Sequence, residues 1–194
     1  MDVAGFFAKV NLTDLVVFAY LLGWFVLGFG QGAVRRVVGI LTVSFSFFLA
    51  AQLNVYLGPF LASHWTQFPT GYAEMVGFGT LFVAGVVAFA LIVQGTYKRV
   101  ALFAEHPIID ELLGGLMGLI QGFLLLMFVV IVLDQYFILG PSAADPSEMP
   151  LLRPIWEAIN GSWTGHLLHE QLIPSFVLLT GFLLPQALRA LYAR

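Results

Sequence analysis

Cysteine is absent from this 194-residue chain, and ionised side chains make up only 10% of it. Without cysteine there are no disulfides, no thiolate metal site and no thiol chemistry. The scarcity of charge excludes more. Ordinary soluble domains carry roughly 25% charged residues, whereas this chain is 60% hydrophobic with a mean hydropathy of +0.94. A fold so apolar lacks the polar groups to cover a water-exposed surface, so lipid must be part of its solvent. No basic stripe exists to hold nucleic acid, and a net charge of −3 is too small to demand a polyionic partner.

The missing charges are missing in blocks. Twenty uncharged residues separate Asp14 from Arg35, and 37 separate Arg36 from Glu74. A further 23 lie between Glu74 and Lys98, and 22 between Glu111 and Asp134. About 20 apolar residues at about 1.5 Å each cross a hydrocarbon core of about 30 Å. Helix is the expected element, because lipid offers no partner for free backbone groups. A lipid-facing barrel would alternate apolar and polar residues, and FLLLMFVVIVL does not.

These blocks predict four spans, at about residues 13–30, 37–60, 72–95 and 110–139, in a membrane domain covering 1–139. The leader MDVAGFFAKVNLTD carries two aspartates against one lysine and no A-x-A site follows the apolar run, so an uncleaved first span is expected. QGAVRR reads as the first connecting turn and ASHWTQFPTG as an interfacial loop; GPSAADPSEMP reads as an aqueous linker. The tail, 140–194, ends in QLIPSFVLLTGFLLPQAL, whose prolines and glycine favour an interfacial or re-entrant helix over a fifth span. Arg35 and Arg36 in the first turn and Lys98 and Arg99 in the third set the orientation, because cytoplasmic loops carry the positive charge. Both termini are then expected outside. Trp65, Trp156 and Trp163 fall where interfacial anchors would.

The fourth span opens with DELLGGLMGLIQG, which places Asp110, Gly114, Gly118 and Gly122 on one stripe. Small residues at this spacing let helices approach closely in lipid, so the stripe predicts a packing seam, with a pore lining as the sharper alternative. Gly28-Phe-Gly-Gln31-Gly32 echoes Gly118-Leu-Ile-Gln121-Gly122, which suggests that Gln31 and Gln121 face each other or a shared partner. Asp14, Glu74 and Asp134 all fall near the outer ends of spans, where solvation by water is expected. For Asp134, a buried hydrogen bond or a proton or cation relay are the alternatives. Asp110 is placed to satisfy free N–H groups at a helix start. His166-Leu-Leu-His169-Glu170 fits neither metallopeptidase pattern, so no metal is expected, nor any other cofactor.

The order of these elements resembles the CvpA family, named for colicin V production. The resemblance rests on Asp14, on Gly32 followed by Arg35, on D-x-x-x-G-x-x-x-G-x-x-x-G from Asp110 to Gly122, and on QLIPSF from Gln171 to Phe176. It implies an all-α, four-span protein of the bacterial inner membrane, with no enzymatic activity and an envelope role. The family often has arginine where this chain has Gln31 and Gln121, and glutamate where it has Arg36, which weakens any mechanism needing buried arginine. Three functions follow as expectations: support of bacteriocin production or export and envelope homeostasis; a small channel or transporter; and an anchor or assembly factor for a partner. The lipid bilayer is one partner, and a second copy or another membrane protein is the other candidate.

Overall fold

The computed structural model describes residues 11–96, 107–139 and 145–192. Lys98 and Arg99, two of the four residues expected to set orientation, lie outside them. Among the described residues four helices are long and apolar enough to cross a membrane. They are α1 (Leu12–Gln31), α2 (Ala33–His64), α3 (Thr70–Thr96) and α4 (Pro107–Phe137). The chain is a multi-pass membrane protein. Its tail continues through α5 (Leu152–Asn160), α6 (Trp163–Leu167), a wide π-turn (Leu168–Leu172), α7 (Ile173–Thr180), a 3₁₀ turn (Gly181–Leu183) and α8 (Gln186–Tyr192).

Local chemistry sets the helix starts. The Asn11 side chain accepts from the Asp14 amide while the Asp14 carboxylate accepts from the Asn11 amide, a reciprocal capping box. Pro107 occupies the first position of α4, where its missing N–H costs nothing. Between α1 and α2 the whole connection is Gly32, at φ 80°. Only glycine adopts that conformation cheaply. Arg35 and Arg36, expected in a connecting turn, therefore lie in the first turns of α2; Arg35 is exposed and Arg36 buried.

With so tight a turn, helices sequential in the chain need not be the best packed. The two most extensive pairings are α1 with α4 and α2 with α3, and α2 with α4 joins the two pairs. Where α1 crosses α4 the register steps by four on both helices. A Cβ on Gly118 would lie 2.3 Å from the Trp24 carbonyl oxygen, one on Gly28 2.2 Å from that of Gly114, and one on Gly32 2.5 Å from the Asp110 carboxylate. Gly122 completes the seam by accepting the Tyr20 hydroxyl on its carbonyl at 3.0 Å. At Gly28, Gly114 and Gly118 these are contacts with backbone, which no larger residue permits.

Toward the tail, the centre is aromatic. Phe47 of α2 and Phe128 of α4 stack at 4.1 Å, edged by Phe82 of α3. Phe176 of α7 joins this cluster, 5.4 Å from Phe128. The preceding π-turn is bonded to Asp134, six residues further along α4, so α7 descends about 9 Å beside the bundle. The chain then returns. Gln52 donates to the Leu183 carbonyl at 2.8 Å, and Tyr192 reaches Asp134 again. The tail is thus a helical hairpin dipping part-way along the bundle, with Leu178, Leu179 and Phe182 more than 70% exposed around its tip. No described helix in the tail is long enough to span.

The seam yields a contrast within one residue type. Gly118→Ala, which meets backbone, should lower unfolding stability in detergent by about 1–3 kcal/mol. Gly30→Ala, which meets nothing within 4 Å, should leave it unchanged or raise it by about 0.5–1 kcal/mol. Equilibrium unfolding in mixed micelles followed by helicity measures both.

Candidate functional site

The polar residues of the bundle divide between its two ends. At the tail end the central group is Asp134, wholly inaccessible to solvent. Its Oδ1 accepts from the Trp156 indole at 2.7 Å. Its Oδ2 pairs with His169 Nε2 at 2.9 Å and accepts from the Tyr192 hydroxyl at 2.5 Å. The three partners come from α5, the π-turn and α8, so one carboxylate gathers three separate parts of the tail. Solvation at a helix end, the expectation for Asp134, is overturned. The tail folds over the end of α4 and replaces water with fixed donors, as an apolar site requires of a buried acceptor. Trp156 turns its indole N–H inward to this carboxylate, contrary to its expected part as an interfacial anchor.

Asp14 is the second clamp, only 7% exposed. Besides capping its own helix, it accepts from the Thr164 amide at 2.9 Å, the Thr164 hydroxyl at 2.8 Å and the Trp163 amide at 3.2 Å. These amides open α6, whose start Ser162 also caps through its hydroxyl on Gly165. Asn11 adds a bond from its side chain to the Gly161 carbonyl at 3.2 Å. A charged acceptor at a helix start satisfies free donors and complements the dipole. For Asp14 too, protein donors stand where water was expected.

The linker is fixed by a third carboxylate. Glu148 receives two bonds from Arg153, at 2.6 and 2.8 Å, and one from the Tyr136 hydroxyl at 2.9 Å. The Arg153 guanidinium stands 5.1 Å over the Phe137 ring. The Tyr72 hydroxyl accepts from the Met149 amide at 2.8 Å. The Arg153 hydrogen bonds hold Glu148 below the usual carboxylate range, against burial that opposes them, and Arg153 is raised in return. The hydrogen bond that His169 makes to the Asp134 carboxylate raises His169, burial again opposing.

At the other end, Arg36 is only 4% exposed and donates to the Gln121 side chain at 3.1 Å, with its guanidinium 5.1 Å over the Trp24 ring. Gln121 also lies against Gly39. The expected Gln31–Gln121 pairing is therefore corrected. The register sets Gly32 beside Asp110, so Gln31 sits about one residue from that level and roughly 15 Å along α4 from Gln121. A buried arginine is present after all, at a position where the resemblance suggested glutamate. Two of the three departures, Arg36 and Gln121, touch each other. Asp110, 8% exposed, packs against Gly32 where α2 begins.

The tail's histidines do not converge. His169 faces Asp134, while His166 is exposed and 3.8 Å from Glu170. Among the described residues no group of three metal-ligating side chains occurs. The pattern of residues pointed to Asp14 and Asp134 as unusual, yet nothing in it marked Thr164, Trp156, His169 and Tyr192 as their donors. The one available signal was the demand of a carboxylate inside an apolar run for partners, and that demand does not say where they lie.

Residues 13–152 match the family described as Colicin V production protein. The match includes Asp14 and Asp134 and stops before all three donors to Asp134. Comparison with curated proteins and with solved structures gives no match.

Two of the shifted groups outside the spans, Glu148 and His169, act in opposite directions with pH. The Glu148 contribution, from a lowered value, is present above the unfolded glutamate range and is lost as pH falls through the folded value. The His169 contribution, from a raised value, is complete below the unfolded histidine value and is lost as pH rises through the folded one. The tail should hold most firmly between about pH 4.3 and 6.5. Melting temperatures of the purified chain and of His169→Gln should differ most below about pH 6.5 and converge toward alkaline pH. A constant difference across the range would contradict this.

Proposed function

Since the chain belongs to the Colicin V production protein family, we propose that it supports colicin V-type bacteriocin production or export, and envelope homeostasis, as a non-enzymatic protein of the bacterial inner membrane. The family match is the observation that carries this reading. The geometry adds a manner of working. Asp14, Asp134 and Glu148 are each occupied in holding the tail to the bundle, which favours a scaffold over a site with a free acid or base. The tail and the tail-side helix ends then form one ordered surface, suited to a membrane-protein partner or a second copy. Arg35 lies at the opposite end, and on the positive-inside rule that end is cytoplasmic and the tail extracytoplasmic.

A second reading, an assembly factor or anchor for one partner, draws on the same ordered surface. A channel or transporter is the third. Asp134 is its obvious residue, but that carboxylate already has three donors. Flux in proteoliposomes that vanished in Asp134→Asn would establish the third reading at the expense of the first.

In a bacteriocin-producing host, deletion of the chain should lower extracellular bacteriocin several-fold. The intact chain should restore it, and a version lacking residues 152–192 should not. Undiminished bacteriocin in the deletion strain, with the envelope equally resistant to detergent, would remove the proposal.

A further inference from the structure

A cavity of about 210 Å³ lies between α2, α3, α4 and α8 near the tail end of the bundle. It is lined by Asn54, Glu74 and Gln135, with Phe78, Pro185 and Leu188 among its apolar walls. Asn54 is 7% exposed, and its carbonyl oxygen is buried without a hydrogen-bond partner; so is the side-chain oxygen of Gln135. Both side chains line the same space as Glu74. The Asn54 oxygen and the Glu74 side chain approach the same point above Gly58, at 3.0 and 3.4 Å from where a Cβ would stand, so a side chain there would crowd both groups.

The unmet need is for donors. Asn54 and Gln135 carry amide N–H groups too, but it is their oxygens that are buried without a partner; Glu74 adds a carboxylate, and among the described residues no lysine or arginine lines the space. An occupant must therefore bring donors and preferably positive charge. An ammonium group carries three N–H donors and no acceptor, which matches three acceptor side chains. The space is several times the roughly 30 Å³ share of one water molecule, and its remaining walls are hydrocarbon. A short alkyl chain attached to the ammonium would fill it.

We propose that this cavity binds a primary alkylammonium group. Glu74 supplies the counter-charge, Asn54 and Gln135 supply neutral acceptors, and the apolar walls receive the carbon chain. The same chemistry is carried by a free small amine and by the headgroup of an aminophospholipid. The inference rests on this cavity alone and stands or falls independently of the role in bacteriocin production.

The test uses the full chain in phosphatidylcholine nanodiscs, with ethylamine hydrochloride as the probe and thermal unfolding as the readout. A saturable rise in Tm of a few degrees is expected. Tetramethylammonium chloride, which has no N–H donor, and sodium chloride should give none at equal ionic strength. Glu74→Gln, which keeps the shape and removes the charge, should weaken the apparent affinity at least ten-fold. Gly58→Ala, whose methyl would displace the Asn54 oxygen and crowd Glu74, should do the same. Nanodiscs containing phosphatidylethanolamine separate the two sources: a raised apparent Kd for ethylamine assigns the cavity to the lipid headgroup, and an unchanged one to a free amine. No saturable response to ethylamine, an equal response to tetramethylammonium or sodium, or full affinity in folded Glu74→Gln and Gly58→Ala would overturn the proposal.

Discussion

A carboxylate placed inside an apolar bundle must be given donors, and the arrangement of the last forty residues follows from that requirement at Asp134. Left without partners there, the charge would cost several kcal/mol. Hydrogen bonds to a charged group contribute about 1.5–3 kcal/mol each. Trp156, His169 and Tyr192 supply them from three points spread over 37 residues of chain. Each bond fixes a different part of the tail, and satisfying all three together admits few tail conformations. Asp14 acts likewise on the start of α6. The hairpin of α7 and α8 is then held against the aromatic centre, where Phe176 packs with Phe47 and Phe128.

The opposite half of the bundle is organised by packing. Lipid gives helices no hydrophobic reason to associate, so close approach and polar contacts must supply it. Gly28, Gly114 and Gly118 let the backbones of α1 and α4 touch directly, with the Trp24 and Phe25 rings seated on Gly122 and Gly115. That proximity brings Trp24 near α2 as well, where its ring covers the Arg36 guanidinium. An arginine within a spanning helix is costly unless it faces the interior with partners, and Gln121 and Trp24 are those partners. The seam and the buried arginine are thus one structure: the first makes the shelter that the second occupies.

How much of this could be read in advance depends on whether the cause was local. The four long helices were legible because the charge-free blocks are continuous and longer than a bilayer needs. Asp110, Gly114, Gly118 and Gly122 were legible as one stripe because a four-residue step is a property of a single helix. QGAVRR reads as a six-residue turn, yet one glycine at positive φ makes the whole connection. Pairings between helices were the weak point. Gln31 and Gln121 share a local pattern, but antiparallel register places them roughly 15 Å apart along α4. The donors to Asp134 depend on how a tail broken by Pro174, Gly181 and Pro185 folds back, which no local periodicity encodes.

Hydrogen–deuterium exchange of residues 152–192 in nanodiscs, compared between the native chain and Asp134→Leu, bears most directly on the claim that one buried carboxylate holds the tail. The leucine keeps the site apolar and removes every acceptor. Protection should fall at least ten-fold at α5, at the π-turn and at α8 together, while α1 and the seam glycines stay protected. Loss at one of the three sites alone, or none, would contradict the account.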